Sequence, residues 1–213
     1  MPPVRVALTF DAEHPDRPNR PETPVRLLDL LAERGVRATF FVQGRWAQAF
    51  PALVRRMASE GHLIGSHSHY HARMALLSAD GFETDVRAAE WAVERAAGVS
   101  PRPWFRCPFG NAADHPRTLR LLDKLGYRHV GWNVAAREWR VRARADEVAQ
   151  TLHDGILAHG DGAIVLAHTW PNSVPGAFTT LIDRLAGRVS FVGVDELGLG
   201  TGLAPVATPP IPG

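Results

Sequence analysis

One cysteine in 213 residues excludes an internal disulfide and a metal cluster built on thiolates. That residue, Cys107, says little about compartment. No apolar run is long enough to cross a membrane, so a membrane partner is not expected. An excess of one charge sign is missing too: 24 Lys and Arg face 22 Asp and Glu, a formal net charge of +2, and the pI of 9.2 reflects arginine content rather than a basic patch. Nucleic acid is not an expected partner. The N-terminus passes from Met1-Pro2-Pro3 straight into Val4-Arg5-Val6-Ala7-Leu8-Thr9-Phe10, without the charged-then-apolar pattern of a secretion signal. Cytoplasmic residence is the expectation, with secretion open if a leader has been trimmed. No internal repeat and no linker divides the chain, and 45% hydrophobic residues suffice for the core of one domain.

What is present is an alternation of short apolar runs with longer amphipathic stretches. Strands are expected over residues 4–10, 38–42, 62–65, 103–106, 127–134, 163–167 and 190–193. Helices are expected over 22–35, 51–61, 78–97, 116–125, 145–155 and 178–185. Their ends carry the usual chemistry: Pro24 suits a first turn, Ser78 precedes the third helix, and Gly35, Gly98 and Gly126 close theirs. In the first helix Val25, Leu27, Leu28 and Leu31 fall on one side. The run 163–167 is nearly continuous in apolar residues, as a strand buried on both faces requires. Seven such units argue for an α/β fold, a distorted seven-stranded (β/α) barrel of TIM-barrel type over residues 1–197, with a Gly- and Pro-rich tail over 198–213.

In such barrels chemistry gathers where strands end. Asp11 and Glu13 follow the first expected strand, His67 and His71 the third, Arg106 the fourth, Glu138 and Trp139 the fifth, and His168 with Trp170 the sixth. If His67 to His71 makes one helical turn, the two imidazoles sit at i and i+4 on one face, close enough to share a metal. A polar surface loop is the competing reading of that stretch.

Several short motifs then occur in order: Thr9-Phe10-Asp11; Ala38-Thr39-Phe40-Phe41-Val42 with Gly44; Gly65 before His67-Ser68-x-x-His71; Phe105-Arg106-x-Pro108-Phe109-Gly110; Trp139 after an acidic residue; and Leu166-x-His168. Together they resemble the polysaccharide deacetylases of carbohydrate esterase family 4, across residues 4–197. The resemblance implies a metal-dependent hydrolase that removes acetyl groups from acetylated carbohydrate, N-acetylglucosamine units or O-acetylated xylan being the main substrates of the family. It implies a divalent metal on His67 and His71, Zn²⁺ first, with Co²⁺, Ni²⁺ or Mn²⁺ as substitutes. Such an ion would acidify water and polarise the acetyl carbonyl. Asp11 is the matching position for the general base, Arg106 for its ion-pair partner, the Phe109 N–H for an oxyanion donor and His168 for the acid that protonates the leaving nitrogen. Trp139 and Trp170 are divided between stacking on a sugar face and plain rim packing.

The departures are informative. The family's third metal ligand, a second aspartate after the first, is Ala12 here. Glu13 is the expected replacement, with His14 and Asp11 as alternatives. The first acid of the fourth motif is Ala135, leaving Glu138 as the partner for His168 if there is one. Phe109 lacks the phenol of the usual tyrosine, and Thr169 stands where an aspartate is common. His62, His69, His115, His129, His153 and His159 read as structural or surface residues, and Trp46, Trp91, Trp104 and Trp132 as core. Two other functions stay open: a catalytically impaired relative that binds carbohydrate, suggested by Ala12 and Ala135, and an amidohydrolase for a small non-sugar amide. Oligomeric state is not readable from the sequence.

Overall fold

The structure, a computed structural model, describes residues 3–16 and 22–199. The expected tail falls outside the described residues from 200 onward. β1 (Val4–Ala12) is the axis of the fold, and its last seven residues are all buried. It pairs in parallel with β7 (Ala163–His168) along one edge. The other edge is shared: β8 (Val189–Phe191) lies beside Val4 to Val6 and β2 (Thr39–Val42) beside Thr9 to Ala12. Beyond β2 come β3 (Leu63–Ser66), β4 (Trp104–Phe105) and β5 (Arg128–His129), and beyond β7 comes β6 (Val134–Ala135). Among the described residues the order β5-β4-β3-β2-β1-β7-β6 is thus a curled parallel sheet of seven strands with β8 off the path.

This is the barrel-like α/β fold that the sequence implies, with one change. The expected strand over 127–134 is two strands, β5 and β6, on opposite edges of the sheet. The segment between them bridges the seam, and its backbone polar groups find other partners. Arg106 donates from Nε to the Val130 carbonyl at 3.1 Å and from Nη2 to the Gly131 carbonyl at 2.9 Å. Asn133 imitates a strand neighbour: its N–H donates to the Ile164 carbonyl at 3.1 Å and its Oδ1 accepts from the Ile164 N–H at 2.8 Å.

Among the described residues seven α-helices cover the sheet: α1 (Glu22–Glu33), α2 (Gly44–Ala49), α3 (Pro51–Ser59), α4 (Ala79–Ala97), α5 (Pro116–Lys124), α6 (Ala145–His159) and α7 (Val174–Leu185). α1 buries Leu27, Leu28 and Leu31, whereas Val25 lies off that stripe, 36% exposed. In α4 the Ser78 side chain accepts from the Gly81 N–H at 3.1 Å, and Gly98 closes the helix in the left-handed region. The short α2 was not anticipated. α6 runs through Gly155 to His159, because a side chain at 155 would meet Val134 Cγ1 at 2.8 Å and glycine is a packing requirement there. α7 begins four residues earlier than expected, with Pro175 in its first turn. Phe10 is the hub of the main core, with ring centroids 5.4 Å from Phe40 and 4.9 Å from Phe178. Trp46, Trp104 and Trp132 are in the core as expected, but Trp91 is 56% exposed on α4 beneath the Arg95 guanidinium. Among the described residues no helix is long and apolar enough to cross a membrane.

One buried histidine makes the fold acid-sensitive. Burial, with Arg106 and His67 nearby, pushes His129 down to about 3, and its Nδ1 accepts from the Cys107 N–H at 3.3 Å. The unfolded chain takes up this proton near pH 6.5 while the folded chain refuses it until about pH 3, so stability is lost as pH falls through that interval. Each pH unit across it costs up to about 1.4 kcal/mol. Urea midpoints measured from pH 7 to pH 4 should fall, and His129→Gln should flatten the slope by about one proton. An unchanged slope in that variant would assign the acid sensitivity to other groups.

Candidate active site

Asp11 and Glu13 are two apart at the end of β1, so they face the same side of the sheet, while Ala12 between them points into the main core. That alternation lets the longer Glu13 side chain enter the site that residue 12 cannot reach. Glu13 Oε2 lies 3.3 Å from His67 Nε2 and 2.5 Å from His71 Nε2. Its Oε1 lies 3.0 Å from His14 Nε2 and accepts from Trp170 Nε1 at 3.4 Å. Burial pushes the Glu13 carboxyl up, but His168 opposite it and the hydrogen bonds of His14, His67 and His71 hold it well below its ordinary range.

The expected helical turn at His67 to His71 is not formed. The stretch is a loop leaving β3, with Ser68 and His71 in the left-handed region at φ 64° and 57°. The loop still brings the two imidazoles together, with centroids 5.0 Å apart. His67 Nδ1–H donates to the Arg106 carbonyl at 2.9 Å, which leaves Nε2 as its free ligand atom. Burial pushes His71 down, and Glu13 offsets part of that shift.

Arg106 is fully buried, yet every face is answered. Its Nη1 donates to Asp11 Oδ1 at 2.9 Å, the two carbonyls of the seam take Nε and Nη2, and the Phe41 ring lies 4.1 Å from the guanidinium carbon. Asp11 Oδ2 is then left facing the cavity, 3.7 Å from His67 Nε2. On the opposite wall Glu138 Oε1 accepts both from His168 Nδ1–H, at 2.7 Å, and from the His168 backbone N–H, at 2.8 Å. Burial pushes His168 down, but Glu13 and Glu138 together raise it to about 9.

Asp11, Glu13, His67, His71 and His168 line a cavity of about 160 Å³ with Phe109, Trp132, Trp139 and Trp170, while Arg106 and Glu138 stand behind Asp11 and His168. Phe109 has φ 58° and sets its ring 4.3 Å from that of His71. Trp139 and Trp170 flank His168 at 5.3 and 5.9 Å. All ten residues singled out from the sequence, Asp11, Glu13, His67, His71, Arg106, Phe109, Glu138, Trp139, His168 and Trp170, therefore meet in or directly behind one cavity. His14 is in the wall as well. Gln43 was missed: it is buried and its Oε1 accepts from the His14 N–H at 2.9 Å, fixing the turn after Glu13. The signal for it was a lone amide at the end of an apolar strand.

Glu13, His67 and His71 offer one carboxylate oxygen and two imidazole nitrogens within 4.8 Å of one another. That donor set suits a divalent cation of the zinc class, because the tautomer of His67 is already fixed by its second nitrogen.

The description "polysaccharide deacetylase" belongs to the family whose profile matches residues 1–130. A peptidoglycan-N-acetylglucosamine deacetylase of Bacillus cereus is 30% identical over 183 residues, 85% of this chain and 62% of its own length. The chain thus spans a little under two thirds of that relative. A solved T48 deacetylase with substrate superposes with a TM-score of 0.79 at 33% identity, covering 95% of this chain and 94% of that one. A family 4 carbohydrate esterase pseudoenzyme from Bacillus anthracis superposes at 0.78 with 26% identity, covering 92% and 66%. With the profile spanning well over half of the sequence and the solved relatives nearly all of it, the chain belongs to the polysaccharide deacetylase family.

Proposed function

We propose that this protein is a metal-dependent deacetylase that hydrolyses the acetyl group of an acetylated sugar, as amide or ester, to acetate and the free amine or alcohol. One observation carries the reading: the Glu13, His67 and His71 donors converge on a cavity whose facing wall holds a histidine locked by a carboxylate. A divalent cation held by Glu13, His67 and His71 would supply Lewis acidity to the carbonyl and to water. Asp11 takes the proton of the attacking water at Oδ2, its other oxygen being tied to Arg106. The N–H of Phe109 is the donor this reading assigns to the oxygen that becomes negative as the carbonyl carbon turns tetrahedral. His168, with Nδ1–H committed to Glu138, presents Nε2–H to the leaving atom as the carbon–nitrogen or carbon–oxygen bond breaks. Trp139 and Trp170 offer ring faces to the sugar.

Protein loaded with Zn²⁺ or Co²⁺ should release acetate from chitooligosaccharides, acetylxylan or an aryl acetate, lose that activity in EDTA and regain it with metal. No acetate from any of the three, with a His67→Ala variant still holding its metal, would overturn the reading. A carbohydrate-binding relative without turnover is the second reading, favoured by Ala12 and Ala135. Sugar binding without acetate release selects it.

A further inference from the structure

The loop that carries the two metal-site histidines is not a regular element, and two of its residues, Ser68 and His71, sit in the left-handed region that disfavours non-glycine residues. Something outside it must hold it. The loop carbonyls are taken from one side: the Gly44 N–H donates to the Ser68 carbonyl at 2.9 Å and the Arg45 N–H to the His69 carbonyl at 3.3 Å. Its amides are taken from the other side by a single residue of α4. Asp85 is 5% exposed, its Oδ1 accepts from the His69 N–H at 3.0 Å and its Oδ2 from the Tyr70 N–H at 3.0 Å. Among the described residues the carboxylate has no ion-pair partner and no other hydrogen bond, so each of its oxygens is given to one of these two successive amides. The His69 ring completes the clamp. It packs so closely on Gly44 that a Cβ there would fall 2.2 Å from Nδ1, with Ala89 of α4 behind it at 2.9 Å.

We propose that Asp85 is a positioning residue for the metal site, one that sets the His67 and His71 side chains before any cation arrives. The inference rests on the proposed metal-site reading, and its mechanism is electrostatic. An ionised carboxylate accepting two backbone N–H groups makes charge-assisted bonds that fix the peptide planes of 68–70, and with them the direction in which residues 67 and 71 leave the backbone. An apolar or amide side chain of the same size packs the space but releases at least one of those planes. Asp85 touches no reacting atom, so its effect runs through ligand geometry, which is how an outer partner of a metal ligand alters affinity by about 10–100-fold.

The test compares Asp85→Asn with Val93→Ala, a core truncation elsewhere on the same helix, both well below their melting temperatures. Competition with a chelator gives the Zn²⁺ dissociation constant, and hydrogen exchange followed by NMR gives the protection of the His69 and Tyr70 amides. Asp85→Asn should weaken Zn²⁺ binding about 10–100-fold and expose at least one of the two amides. Val93→Ala should lose stability while keeping the wild-type constant within about twofold, and Asp85→Glu, which keeps both acceptor oxygens, should recover part of the affinity. Wild-type affinity in Asp85→Asn, or an equal loss in Val93→Ala, would overturn the proposal. If Asp85→Asn does not fold, Gly44→Ala pushes the same loop from its other side through His69, and an unchanged constant there overturns it. Should the wild-type protein bind no Zn²⁺, the metal reading fails and the clamp does not. The wild-type exchange of the two amides then decides: protection supports the clamp and free exchange ends it.

Discussion

Glu13→Ala is expected to weaken Zn²⁺ binding by about 10³-fold or more, on the order of 4 kcal/mol, and to reduce acetate release to background at micromolar metal. The size follows from how many contacts one carboxylate makes. Glu13 stands 3.3 Å from His67 Nε2 and 2.5 Å from His71 Nε2 with one oxygen, and meets His14 and Trp170 with the other. It is the anionic member of the donor set, and the two imidazoles left behind are neutral ligands. Glu13→Gln separates charge from shape: it keeps the length and an oxygen but loses the negative charge, and should recover only a small part of the affinity. Glu13→Asp keeps the charge but is a methylene shorter and starts one residue beyond β1, so it should fall short of His71. Calorimetric titration with Zn²⁺ alongside an acetate assay reads both quantities. Affinity within about threefold of wild type in Glu13→Ala, with His67→Ala strongly impaired, would move the third ligand to Asp11 or His14 and remove the explanation for Ala12.

How much of this could be read from the residues differs between the frame and the site. The parallel frame was legible because strands buried on both faces must be apolar nearly throughout, as 163–167 is. The division of 127–134 was not, since β5 is only Arg128 and His129 and β6 only Val134 and Ala135, two-residue strands with no apolar run of their own, and the curl of the sheet alone decides that they lie on opposite edges. The histidine pair was legible as a pair but not as a loop. Spacing i, i+4 fits a helix, and the left-handed turns at Ser68 and His71 depend on partners from α4 and from residues 44–45. Glu13 and Glu138 were legible as acidic residues near the positions of Ala12 and Ala135, and it is the fold that sets the first beside the two histidines and the second on His168 Nδ1. Asp85 had a signal that went unread: helical spacing from Phe82 through Val86, Ala89 and Val93 marks the buried stripe of α4, and Asp85 lies within it. A carboxylate on a core stripe must find donors, and which donors is a fact of tertiary structure.

The second large effect belongs to the opposite wall. His168→Ala should lower kcat by about 10²–10⁴-fold on an N-acetyl substrate, because an amine leaving group needs a proton as the bond breaks and imidazole supplies it. On an aryl acetate, whose leaving group departs without a proton, the loss should be much smaller, and that contrast distinguishes an acid from a general structural role. Glu138→Gln tests how the acid is tuned. In the folded protein Glu138 Oε1 accepts from the ring Nδ1–H and from the backbone N–H of His168, and with Glu13 it raises the imidazole to about 9. A cation on Glu13 would take up much of that residue's charge, which leaves Glu138 as the main group holding the proton. The sign is then fixed. His168 acts in its protonated form, so activity is present below its pKa and lost as pH rises through it. Removing the Glu138 charge lowers that pKa and moves the alkaline limb of kcat to lower pH, by about one unit for each 1.4 kcal/mol of lost interaction. Glu138→Gln keeps an acceptor for the ring, so kcat at the new optimum should fall by only about 10-fold, less than in His168→Ala. A pH–rate profile on the N-acetyl substrate checks the pair. An alkaline limb that stays in place in Glu138→Gln, with His168→Ala equally impaired on amide and aryl ester, would return His168 to a packing role and leave the leaving-group proton without a donor.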